Sequence, residues 1–343
     1  INAKNFYSRL TSIFNLWKKD ISENSQAESL VILRGKHDEQ DLAASTQPRT
    51  SSFHTYLLGY EFTECLIGIT SEKVIFFLTQ KKRLMIETLV KPENYTGPAL
   101  SFYTRDLKNP NEETIKLILD ELGNNIGLLT QEPGKGVLVD EFSKYFSQQD
   151  KVSVEASAFA DKIFFKKDQE ELENIRVAAK YSSYIASCTL KKIEKAINED
   201  KKISNQSLSN TIREYTEKEA FINKFKEVYK LQDIDSSMLE VPDNKPIVQS
   251  GSYFEWNFNR NSTKDLLDSS IIAVKSIAKY RDYFAKVIRT YMIDSDKNQL
   301  TNYKILFETF EYLAKTALRP GTKLSEVYKK TINFLTEKTS DLE

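Results

Sequence analysis

The stretch AKVIRTYMID, residues 285–294, follows IIAVKSIAKYRDYF, and together they read as two long strands around a turn at Tyr280-Arg281. Val287, Ile288, Thr290 and Tyr291 are β-branched or aromatic residues that favour a pleated strand. A hairpin centred on that turn sets Lys275 opposite Lys286. Like charges in that position repel unless they splay or find acceptors, so the pattern predicts a wet or carboxylate-supplied cleft there.

Working outward, PIVQSG at 246–251 precedes the hairpin. Before it, DKIFFKKDQEELENIRVAAKYSSYIASCTLKKIEKAI carries Leu172, Ile175, Ala178, Ala179, Ser182, Ile185, Ala186, Leu190, Ile193 and Ile197 at helical spacing, a long amphipathic helix. A second helix is predicted over about Leu208 to Phe221, and a polar, proline-containing loop from Gln232 to Lys245. After the hairpin, a helix from about Leu300 to Leu318 meets the stop signal Pro320-Gly321, and Thr322 is placed to cap the next one.

Upstream of residue 161 the texture differs. SLVIL, CLIGI, KVIFFL, ALSFY, NIGLL and KVSVE read as strands, with SSFHTYLLGY, KKRLMIETL, NEETIKLILDEL and GVLVDEFSKYF as helices between them. This alternation is that of an α/β domain. Two domains are therefore expected, over 1–160 and 161–343. Ile13, Phe14 and Trp17 on an N-terminal helix read as packing, and PGKG at 133–136 as a turn before a helix, since its spacing does not make a phosphate loop.

With 343 residues, 40% of them apolar and 29% charged, the chain has the material for real cores. Lys plus Arg and Asp plus Glu number 49 each, so no global charge draws it to nucleic acid or membrane. The longest apolar runs, such as VIFFL at 74–78, fall far short of a bilayer span of roughly 20 residues. Cys65 and Cys188 are too few for a disulfide framework and point to a reducing compartment. The chain opens on Ile1 without an apolar leader, so targeting is not legible.

The order of a small α/β lobe, long helix, IVQSG segment, strand pair and helix ended by RPG resembles the creatinase/aminopeptidase P family. The resemblance implies an α+β pita-bread domain, also found in methionine aminopeptidases, ending here before its second half is complete. In that family a histidine stands seven positions past the glycine, and two metal-binding aspartates lie eleven apart, the second directly before the ITRTF-like strand. The matching positions here are Phe258, Lys275 and Lys286.

Dinuclear hydrolases need anionic oxygens between their cations. An ammonium offers three donors and no lone pair. At about 5 Å and an effective dielectric near 20, a lysine against a divalent ion costs on the order of 6 to 7 kcal/mol. His37 and His54 both lie in the first lobe, so the second supplies no imidazole. No catalytic residue, metal ligand or cofactor is therefore expected; the alternative is an active aminopeptidase P-type metallopeptidase with unusual ligands.

FHTYLLGYEFTECLIGITSEKVIFFLTQKKRLMIETL, IRTYMIDSDKNQLTNYKILFETF and LRPGTKLSEVY are similar to the non-peptidase branch formed by the large subunit of the FACT histone chaperone. That resemblance implies a nuclear, chromatin-associated protein working in transcription, replication and repair. It implies core histones and nucleosomes as partners, and the smaller FACT subunit through regions outside this chain. No membrane contact and no sequence-specific nucleic-acid binding are expected. Candidate binding residues are Lys81, Lys82 and Arg83 at a helix start, and Trp256 and Phe258 bordering the former metal pocket.

Overall fold

The computed structural model describes residues 1–23, 26–36, 48–132, 134–242, 246–251, 254 and 261–340. The chain divides into two compact units, Ile1–Ile175 with Tyr280–Tyr283, and Arg176–Lys279 with Phe284–Glu343.

The first unit is built on a six-stranded sheet of order β4-β3-β2-β1-β5-β6. Its strands are β1 (Ser29–Arg34), β2 (Cys65–Ile69), β3 (Lys73–Leu78), β4 (Ala99–Thr104), β5 (Asn125–Leu128) and β6 (Val152–Glu155). Only β2 runs against its neighbours; β1 pairs parallel with β5, β3 with β4, and β5 with β6. The carboxyl ends of five strands thus share one edge. Both faces are covered, which is why these strands read as unbroken apolar runs rather than alternating ones.

On one face, Leu30, Ile32, Ile67, Val74 and Phe76 pack against Phe6, Leu10 and Trp17 of α1 (Ala3–Glu23), α2 (Arg49–Leu58) and α6 (Ser157–Phe165). On the other, Val31, Leu66, Ile75, Phe77 and Ile126 pack against α4 (Glu112–Leu122) and α5 (Val137–Ser147). Trp17 is buried and meets Phe159 edge-on at 4.9 Å, a packing role. α3 (Gln80–Glu87) follows β3 directly. Gly136, from the PGKG turn, takes φ of 135° at the head of α5, where a side chain would collide with the Glu64 carboxylate.

In the second part of the chain, α7 (Gln169–Asn198) is separate from α6 rather than continuous with it. Asp168 accepts from the Glu171 amide at 2.9 Å while Glu171 accepts from the Asp168 amide at 2.8 Å, a reciprocal cap that starts a new helix. The single helix expected near 208–221 is two, α8 (Asn205–Thr216) and α9 (Glu219–Tyr229). The break lies at Thr216, whose hydroxyl donates to the Arg213 carbonyl at 2.8 Å and competes with the helix.

The loop expected from Gln232 holds a 3₁₀ turn at Ser236–Met238 and the short strand β7 (Leu239–Glu240). β8 (Ile247–Ser250), β9 (Ile272–Tyr280) and β10 (Tyr283–Tyr291) complete a four-stranded sheet in which β9 pairs with β7, β8 and β10. α10 (Lys297–Tyr312) opens with a capping box between Asp296 and Gln299 and widens into a π turn at Leu313–Ala317 before Pro320-Gly321. α11 (Leu324–Thr339) has Lys323 rather than Thr322 at its N-cap, because the Thr322 amide is turned back onto the Arg319 carbonyl. Among the described residues, no helix is long and apolar enough to cross a membrane.

Candidate functional site

β8 ends at Gly251, which takes φ of 97° and donates to the Ile271 carbonyl, so the IVQSG segment turns away where only glycine is unstrained. Ser250 holds the turn: its hydroxyl donates to Asn205 Oδ1 at 2.9 Å and accepts from the Asp268 amide at 2.9 Å. The antiparallel register places Ile247 beside Lys275 and Ser250 beside Ile272. The segment thus lies directly against the strand that carries the first of the two lysines.

The turn of the hairpin is Arg281-Asp282, both in the left-handed region with φ of 46° and 65°, rather than Tyr280-Arg281. Two consecutive positive φ values are the signature of the turn that matches strand twist in a two-residue hairpin. Counting outward, Lys279 is level with Phe284, and its ammonium lies 5.9 Å from that ring. Lys275 is then level with Ile288, and Lys286 with Ile277. The two lysines are diagonal neighbours on one face of the sheet, not directly opposed, because the turn is one residue later than the sequence reading placed it.

Their surroundings differ. Lys275 is 4% exposed on the central strand and is engaged with a partner, while Lys286, on β10, is exposed. Lys279 completes a row of three ammonium groups and pairs with Glu240 at 2.9 Å. That face of the sheet therefore carries three lysines. Among the described residues, no three of His, Cys, Asp and Glu converge closely enough to hold a metal ion. Trp256 and Phe258 lie outside the described residues.

The run Lys81-Lys82-Arg83 does not form one patch. Lys81 faces solvent. Lys82 is half-buried, donates to the Thr63 carbonyl and lies 5.6 Å from the Phe62 ring, and desolvation pulls its pKa down. Arg83 pairs with Glu87 at 2.8 Å and donates to Thr104 Oγ1 at 3.1 Å. His54 is fully buried; its Nδ1 accepts from the Phe62 amide at 3.2 Å, and desolvation followed by the Arg34 charge lowers its pKa to about 3. It is a neutral core imidazole. Burial pushes the Cys65 thiol up to about 12, so it is an unreactive core group.

A network unread in the sequence surrounds Arg9. Its guanidinium contacts Asp168 at 2.7 Å, Glu170 at 2.9 Å and the Tyr56 carbonyl at 2.7 Å. Beside it the Tyr283 hydroxyl donates to Glu171 Oε1 at 3.1 Å, and desolvation raises both the Glu171 and Tyr283 pKa values. The carboxylate partners stand more than a hundred residues from Arg9 and Tyr283, and no local spacing announces them.

Residues 1–159 match the FACT complex subunit SPT16 N-terminal lobe domain, and residues 173–342 match metallopeptidase family M24. The first lobe thus matches the SPT16 N-terminal lobe family and the second domain the M24 peptidase family. It is 30% identical to the FACT complex subunit ctc-2 of Neurospora crassa and 26% identical to the FACT complex subunit SPT16 of Debaryomyces hansenii. Each alignment covers 100% of this chain and 34% of the relative, so the chain spans about a third of the length of these proteins.

The solved N-terminal domain of SPT16 from Eremothecium gossypii superposes with a TM-score of 0.84 at 21% identity, covering 100% of this chain and 79% of that one. The X-Pro aminopeptidase of Thermotoga maritima gives 0.62 at 13% identity, over 94% and 78%. The SPT16-type lobe followed by a pita-bread domain is therefore the fold of this chain.

Proposed function

We propose that this chain is the non-catalytic, peptidase-like N-terminal part of a FACT-type histone chaperone, acting in the nucleus on nucleosomes during transcription, replication and repair. Core histones are its partners, and the smaller FACT subunit is bound through regions outside this chain. The observation that carries the reading is the row of Lys275, Lys279 and Lys286 on the strand face that a dinuclear peptidase fills with carboxylates. On this reading those residues stand where carboxylates would have to hold two dications, and an ammonium offers a dication repulsion and no lone pair.

The names of the relatives support the chaperone half of the reading, since they are FACT subunits rather than peptidases. Metal analysis of the purified chain, assays on proline-containing dipeptides and a titration with core histones at several salt concentrations test it. The expected result is no stoichiometric metal, no turnover and saturable, salt-sensitive histone binding. Stoichiometric manganese, cobalt or zinc with turnover would establish the peptidase instead. Absence of saturable binding at low salt would remove the histone-binding claim.

A further inference from the structure

At the carboxyl edge of the first unit's sheet, a cavity of about 440 Å³ lies between β1, β5, β6 and α5. Val31, Leu33, Leu128, Leu129, Phe142 and Phe146 give it an apolar lining, and the two phenylalanine rings are stacked with centroids 5.9 Å apart. Among the described residues its polar lining includes two carboxylates, Glu132 and Asp140, and no basic side chain. Glu132 is neutralised by Arg49 at 3.2 Å and accepts from the Thr50 amide. Asp140 is exposed, and no cation pairs with it among the described residues. The volume is that of a ligand site.

Ser153 of β6 also lines the cavity. β6 is the terminal strand, and its Val152 amide donates to Asn124 while the Ala156 amide donates to Leu128. By strand alternation, the intervening odd-numbered residues direct their main-chain N–H and C=O away from β5. Ser153 therefore joins the cavity to a sheet edge that no strand pairs with among the described residues. A strand laid along that edge projects alternate side chains onto the cavity's face of the sheet.

We propose that this cavity receives a lysine side chain from an extended partner segment that pairs with β6. The aliphatic stem would lie against Leu128, Phe142 and Phe146, and the ammonium would meet the unpaired Asp140 carboxylate at the mouth. A compact point charge on a four-carbon stem suits one carboxylate above an apolar cavity; a guanidinium fork would leave donors without acceptors. The site is separate from the lysine row of the second domain, and the chaperone reading neither requires it nor falls with it.

The test titrates the 343-residue chain with acetyl-Val-Thr-Lys-Val-Thr-amide and with the same peptide carrying norleucine for lysine, by calorimetry at millimolar concentration. Saturable binding of the lysine peptide is expected, with the norleucine peptide weaker by about two- to fivefold. Asp140→Asn should remove that difference while leaving the norleucine peptide unaffected. Ser143→Trp, which fills the cavity, and Ser153→Pro, which closes the edge without taking a donor from the β5 ladder, should weaken both peptides. Thermal unfolding checks that each variant is folded; Asp140 is exposed, so its variant keeps the test decisive if a cavity variant fails to fold. Equal affinity for the two peptides, an unchanged difference in Asp140→Asn, or no saturable binding to the folded wild type would overturn the proposal.

Discussion

Lys275 and Lys286 share a charge and a face of the sheet, yet their energetic roles differ because one is enclosed and the other is not. Lys275 is enclosed and engaged with a partner that Lys275→Met would lose, so that variant should lower unfolding stability by about 1–3 kcal/mol, whereas Lys286→Ala should stay within about 0.5 kcal/mol. Equal urea midpoints for the two variants would contradict this placement. The sequence revealed the charge of the pair but not its burial, since burial depends on β9 being the strand that β7, β8 and β10 all pair with. His54 gives a second residue-scale prediction. Its imidazole stays neutral in the folded chain down to about pH 3 but takes a proton near 6.5 when the chain unfolds. The folded pKa is depressed, so the stabilisation is complete above 6.5 and declines at about 1.4 kcal/mol per pH unit as pH falls toward 3. His54→Asn keeps an acceptor for the Phe62 amide and should flatten that slope; parallel stability–pH profiles for variant and wild type would rule it out.

Helix ends and turns are where sequence and structure part company. The six strands of the first lobe and the four helices between them are legible within a residue or two, since long apolar runs bounded by Gly, Pro and Asn leave little choice of element. The missed features are local contests between side chain and backbone. Asp168-Gln-Glu-Glu171 held the signature of a capping box that restarts the chain as α7, and Thr216 broke a pattern that otherwise reads as one helix. The hairpin turn shifted by one residue because Arg281 and Asp282 adopt positive φ without the Asn-Gly pair that would announce it. Trp256 and Phe258 remain expectations from spacing alone. Two substitutions test the element ends. Asp296→Ala removes the α10 cap, whose side chain accepts from the Gln299 amide at 2.8 Å, and should cost about 1 kcal/mol. Lys230→Gly, at the exposed left-handed residue closing α9, should gain roughly 0.5–1 kcal/mol because glycine takes that conformation without a Cβ clash. Chemical denaturation reads both, and a stabilising Asp296→Ala or a destabilising Lys230→Gly would refute the corresponding cap.

Across the whole molecule, charge and apolar surface are distributed unevenly between the ends of the chain. Formal charge sums to zero, so electrostatic repulsion between molecules is weak at neutral pH. The first lobe buries most of its large apolar residues in two cores and exposes others singly, such as Leu107 and Phe165. The last two helices do not: Leu306, Phe307 and Phe310 on α10 and Leu324 and Tyr328 on α11 are exposed. The helices are nonetheless ordered against each other, with Tyr312 stacked on Phe334 at 4.3 Å and Lys338 paired to Glu308 at 2.8 Å. Exposed apolar side chains of that size on a folded scaffold offer an accessible apolar surface. The isolated chain should therefore bind the dye ANS in its native state, and the double substitution Phe307→Glu, Phe310→Glu should remove most of the fluorescence without lowering the thermal midpoint, because neither ring is buried. Dye binding that survives the double substitution would place the accessible apolar surface elsewhere. A midpoint that falls by several degrees would mean that the two rings are covered in solution.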